Sequence, residues 1–130
     1  MDEIAKNFWN PIDISVVPRP PVELLREQAA YLSEVSLGIL KGKVDSDTWV
    51  FDSNTLQHRL LVHAPKIGDF TYEVLSVRHL IHMYPATVSS VAFQSEVDCQ
   101  GYGELEAIVK ATLQSDVVSW ALAAMVRQSS

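Results

Sequence analysis

Four histidines and one cysteine are the side chains of this 130-residue chain best suited to chemistry. Imidazole serves as metal ligand and general base, and a thiolate is a nucleophile. His58 and His63 differ in parity along one strand-like stretch, so they point to opposite faces of a sheet. His79 and His82 are three apart, a spacing that aligns side chains on a helix but opposes them on a strand. The strand pattern runs into His79 and Pro85 follows closely, so strand geometry is expected and a shared metal site is not. No His-Glu-x-x-His helix is present. A lone cysteine excludes an intramolecular disulfide and a cysteine-based zinc site. Cys99 precedes a glycine turn and a helix start, a position that can lower a thiol pKa. A buried structural cysteine is the expectation set against it.

The glycine- and aspartate-rich loops fail the tests for phosphate and metal binding. Gly38-Ile39-Leu40-Lys41-Gly42-Lys43-Val44 has three residues between its glycines, where a phosphate-binding loop needs four. Val44 stands where Ser or Thr would hold magnesium, and the segment follows a helix. Gly101-Tyr102-Gly103-Glu104 lacks the third glycine of a dinucleotide fingerprint, and its acidic helix start would repel a pyrophosphate. Asp45-Ser46-Asp47 could open a calcium loop, but Trp49 and Val50 occupy positions where that loop needs an oxygen ligand and a glycine. Gly-x-Ser-x-Gly is absent. No cofactor is therefore expected.

Ten Lys and Arg face sixteen Asp and Glu, a formal charge of −6. The cations form no run between Arg19 and Arg127, whereas nucleic-acid affinity depends on clustered cations that displace counterions. Nucleic acid is thus excluded as a partner, and a basic protein is favoured. No apolar stretch is long enough to span a membrane. The acidic Met1-Asp2-Glu3 start lacks the basic region of a secretory signal, so a cytoplasmic location is expected.

Hydrophobic residues make up 48% of the chain, enough to bury a core and to set the elements that position these side chains. Residues 1–21 read as a proline-rich arm, expected to be packed down because it carries Phe8, Trp9, Ile12, Ile14, Val16 and Val17. A helix is expected from Pro20-Pro21 to Gly38, with Leu25, Ala29 and Leu32 stepping along one face. About four antiparallel strands should follow. The first covers 39–51 and is interrupted by the turn-prone Asp45-Ser46-Asp47. Residues 57–64 and 70–79 form a hairpin through Pro65-Lys66-Ile67-Gly68-Asp69, and 87–93 is the fourth. If Ala64 faces Phe70, then Val62 faces Tyr72, Leu60 faces Val74 and His58 faces Ser76, which places Leu60, Val62, Tyr72 and Val74 on the covered side. Two helices close the chain, the second N-capped by Ser115. The order defines an α+β fold in a single domain.

The failed catalytic patterns, the size and the charge together suggest a noncatalytic, acidic protein-binding module of the adaptor, inhibitor or immunity type. Its expected contact is an edge of Asp45, Asp47, Trp49 and Asp52, an aromatic anchor among carboxylates. The alternative is a small enzyme or ligand-binding protein with a pocket holding His79, His82 and Cys99. The last helix is apolar on nearly every side, with Trp120, Ala123 and Ala124 opposite its core stripe. A second copy is expected to cover it, making these three residues a homodimer interface, with the Phe8-Trp9 arm folding back as the alternative.

Overall fold

In the computed structural model, which describes residues 6–130, the chain runs α1 (Pro21–Val35), β1 (Lys41–Trp49), β2 (Asp52–Ala64), β3 (Phe70–His79), β4 (Ala86–Ser90), β5 (Val97–Cys99), α2 (Tyr102–Leu113) and α3 (Asp116–Gln128). The acidic start that argues against a secretory signal lies outside the described residues. The α+β class is as expected, with one helix before the sheet and two after it. The sheet is an antiparallel meander in the order β1-β2-β3-β4-β5, one strand more than expected. The additional β5 has three residues, too few for alternation to show in sequence.

Pro21 takes the first helical position of α1, where a missing N–H costs nothing and the fixed φ already suits the helix. Leu24, Leu25 and Ala29 form its buried stripe. The helix stops where Leu37 and Gly38 turn left-handed (φ 55° and 81°), and the Gly38 N–H donates to the Ser33 carbonyl at 2.8 Å. The chain then passes beneath α1 at Gly42. A Cβ there would lie 2.3 Å from the Ala29 carbonyl oxygen, so helix backbone rests directly on strand backbone.

Asp45-Ser46-Asp47 is not the expected turn. It continues β1, opposite Arg59, His58 and Gln57. Pairing with β2 overrides local turn preference, and an edge strand tolerates charged side chains that discourage further pairing. The Asp45 carboxylate lies 3.7 Å from the Arg59 guanidinium, and Ser46 bonds to His58.

The β2–β3 hairpin has the expected turn and the expected pairs from Ala64–Phe70 to Leu61–Glu73, but Leu60 faces Leu75 in place of Val74. Val74 is the extra residue of a β-bulge. Beyond it the register moves by one, so His58 faces Val77 and Arg59 faces Ser76. Leu60, Val62 and Val74 are buried as expected, while Tyr72 is half-buried. The helices lie on this face, where Leu25, Leu75, Val77, Leu105, Val109 and Val118 make a continuous core. Ser115 caps α3 by accepting from the Val118 N–H.

The arm is the clearest departure. Over the described residues it is not packed down: Phe8, Trp9, Ile12, Ile14 and Val16 are all exposed. Its root is nonetheless fixed. Arg19 pairs with Glu27, donates to the Tyr102 hydroxyl at 2.7 Å, and its carbonyl accepts from the Tyr84 hydroxyl at 2.8 Å. Val17 and Pro20 are extended, and Pro18, Pro20 and Pro21 fix their own φ. Before this stem lies a single 3-10 turn, Ile14–Val16, with no buried residue. No helix among the described residues is long and apolar enough to cross a membrane.

Candidate functional site

A chain of hydrogen bonds on the helix-covered face joins three side chains from three strands. Ser46 Oγ is 2.7 Å from His58 Nδ1, His58 Nε2 is 2.9 Å from His79 Nε2, and His79 Nδ1 is 2.7 Å from the Leu80 carbonyl oxygen. Both imidazoles are buried, whereas Ser46 is exposed on the edge strand. The bulge explains the meeting. In a regular hairpin, residues 74 and 76 would face the helices and His79 the other side. The extra residue brings Leu75, Val77 and His79 inward beside His58.

With both rings neutral, the acceptors fix every proton. A carbonyl only accepts, so His79 carries its proton on Nδ1 and presents the Nε2 lone pair. His58 then donates from Nε2, and its Nδ1 accepts from the Ser46 hydroxyl. The gap between the Nε2 atoms has room for one proton. Hydroxyl, imidazole and orienting imidazole meet the first geometric requirements of an activated serine. The recess that would hold a substrate is a separate requirement, and Ser46 stands on an open strand.

Burial first, then His79, then the Arg26 charge, push the His58 pKa down from 6.5 to about 4. Above pH 6.5 His58 is neutral in both states and its contribution to stability is complete. Between 6.5 and about 4 the unfolded chain binds a proton that the folded chain refuses, so stability falls with pH. Below about 4 both states bind it and the loss is complete, on the order of 3 kcal/mol for this one group. Urea unfolding of the parent and His58→Gln between pH 7 and 4.5 measures it. The parent should lose the larger share of its stability. Parallel pH profiles would show that the pair is not the source.

The expected grouping of His79, His82 and Cys99 is not assembled. His79 and Cys99 lie in one cross-strand row with Ala86 between them, and they border different hollows. His82 is exposed in the β3–β4 connection. Cys99 is 1% exposed, and burial, followed by Glu104 and Asp98, raises its thiol pKa, the reverse of activation. His63 faces away from His58, 3.3 Å from Asp69. Among the described residues no cluster of three or more His, Cys, Asp or Glu could hold a metal.

The expected acidic edge occupies β1 and the β1–β2 turn. Trp49 is half-buried on the face away from the helices, with the Arg78 guanidinium 4.3 Å from its ring centre and Phe51 packed edge-on at 5.2 Å. Arg78 is held in turn by Glu96 at 2.8 Å. Asp47 accepts from the Thr48 N–H, and Asp52 from the Asn54 N–H and the Thr55 hydroxyl, so both stiffen the turn. Beyond this frame Val50 and Phe51 stand in solvent, 85% and 81% exposed. Sequence reasoning reached Trp49 and the aspartates. It passed over Val50 and Phe51 at the tip and Ser46 on β1, and it weighed His58 only against His63.

On α3, Val118 and Met125 are buried, Trp120 is 75% exposed and Ala123 is exposed. Beside α3, an apolar hollow of about 160 Å³ has Leu60, Val62 and Val74 as its floor and Tyr31, Val35 and Leu122 on its walls.

The chain is thus an α+β protein with a five-stranded meander and three helices, bearing a rigid aromatic hairpin tip and an uncovered arm. It matches no known family, curated protein or solved structure in comparisons with each.

Proposed function

We propose that the chain is a noncatalytic, cytoplasmic protein-binding module that engages a basic partner through the β1–β2 hairpin tip. The observation that carries this reading is the exposure of Val50 and Phe51 on a turn braced by Trp49, Arg78 and Glu96. Rigid aromatic and aliphatic groups bind with little loss of conformational entropy, and surrounding carboxylates steer a cationic partner. Asp45, Asp47 and Asp52 supply that field, and the chain's charge of −6 reinforces it at longer range. The dispersal of His79, His82 and Cys99, with the thiol held protonated, supports a binding role over a catalytic one.

Affinity purification from the native host with the parent and Phe51→Ala, compared by quantitative mass spectrometry, tests the reading. A stoichiometric basic protein should accompany the parent and fall at least about tenfold with the variant. Changing Asp45, Asp47 and Asp52 to Asn should slow its association and flatten the salt dependence. Equal recovery by parent and Phe51→Ala would remove the tip as the contact.

A further inference from the structure

We propose that two copies of this chain form a two-fold dimer by exchanging their N-terminal arms, Phe8 of each seating in the apolar hollow between α1 and α3 of the other while Trp9 covers its exposed rim. This uses a face other than the hairpin tip and stands without it.

Three observations converge on a second copy. The first is area. The chain exposes 9064 Å², whereas a folded monomer of this mass exposes roughly 6,900 Å². The surplus exceeds the ~800 Å² per partner of a standard interface. Much of it is apolar and lies in the arm, where Phe8 is 91% and Trp9 86% exposed.

The second is shape. The hollow of about 160 Å³ suits one aromatic side chain, comparable to engineered apolar cavities of ~150 Å³ that take up benzene. Tyr31 and Val35 leave its α1 rim 57% and 81% exposed, so the apolar surface continues outward. Around α3, at 100° per residue, Leu122 is followed by Val126, Ser119 and Ala123, before the charged Asp116 and Arg127 and then Trp120. A segment lying along the hollow would also cover the Val126 and Ala123 flank of that helix.

The third is direction. The arm is tied at Arg19 to Glu27, Tyr84 and Tyr102, and it leaves through extended Val17 and Pro20. The hollow lies along the C-terminal half of α1. Pro18, Pro20 and Pro21 fix the φ angles of the arm's stem, and a single turn at Ile14–Val16 beyond it leads to Phe8 and Trp9, which stay exposed on their own body. A second copy related by a two-fold axis receives the arm that its own body leaves exposed, and the exchange closes on itself.

Sedimentation equilibrium at tens of micromolar should give twice the 14.5 kDa chain mass. Val35→Glu on the exposed rim, and separately Phe8→Ala with Trp9→Ala in the arm, should each weaken association at least ~30-fold while leaving thermal unfolding of the monomer unchanged. A photoreactive benzoylphenylalanine replacing Phe8, in an equal mixture of light and heavy-isotope chains, should cross-link to the Tyr31–Val35 segment of the opposite isotope. A monomeric parent, a dimer indifferent to both sets of variants, or links confined to one isotope would each overturn the proposal.

Discussion

Gly42→Ala is expected to unfold the protein or bring it close to unfolding, although it adds a single methyl group. That methyl would lie 2.3 Å from the Ala29 carbonyl oxygen and 2.5 Å from its Cα. Both obstructing atoms belong to helix backbone, so no side chain can rotate away, and relief requires lifting α1 from β1. Leu24, Leu25 and Ala29 would be lifted with it, opening the core under the helix. Overpacking against movable side chains costs about 1–3 kcal/mol. A rigid helix over a rigid sheet places this site at or above that range, a large part of the roughly 5–15 kcal/mol that keeps a domain folded. Gly103→Ala provides the contrast. It lies in α2, its added Cβ meets nothing within 4 Å, and alanine is the better helix former by up to about 1 kcal/mol. Guanidinium unfolding should therefore lower the midpoint sharply for Gly42→Ala and hold or raise it for Gly103→Ala. An unchanged midpoint for Gly42→Ala would mean that α1 does not sit on β1 at Ala29.

The seat at Gly42 was not legible in the sequence, where that glycine registers only as part of a failed phosphate loop. What could be read were features set within one element. Pro21 at the start of α1, Ser115 at the start of α3 and the Pro65–Asp69 turn act over a few residues. Features that depend on two segments meeting were not. Asp45-Ser46-Asp47 has turn chemistry, and only β2 beside it makes it a strand. The arm has the composition of a buried segment, yet its apolar side chains lie exposed, because burial needs a second surface that composition does not specify. The His58–His79 pair shows the limit most clearly. Both residues stand in the hairpin, but a bulge decides whether they share a face, and nothing in Glu73-Val74-Leu75 announces one. Trp49 and its aspartates could be found because composition alone marks an aromatic among carboxylates. The exposed neighbours Val50 and Phe51 looked like a strand end, and strand ends are commonly covered.

Val74→Asp should cost several kcal/mol and leave the protein largely unfolded at neutral pH. Val74 is 1% exposed and forms part of the apolar floor shared by Leu60 and Val62. A carboxylate there would lose its water, and the described lining of the hollow offers it no cationic side chain. The bulge sharpens the prediction. In a regular ladder one residue of the Val74-Leu75 pair would face solvent and accept a charge. Here both are 1% exposed, so Leu75→Asp should be comparably damaging. Glu73, one residue earlier, is already charged and exposed, and Glu73→Gln should be nearly neutral. Thermal unfolding of the three variants distinguishes the two registers. Damage at both 74 and 75 is the signature of the bulge. Damage at 74 alone would restore the regular hairpin, return His79 to the opposite face and dissolve the buried histidine pair.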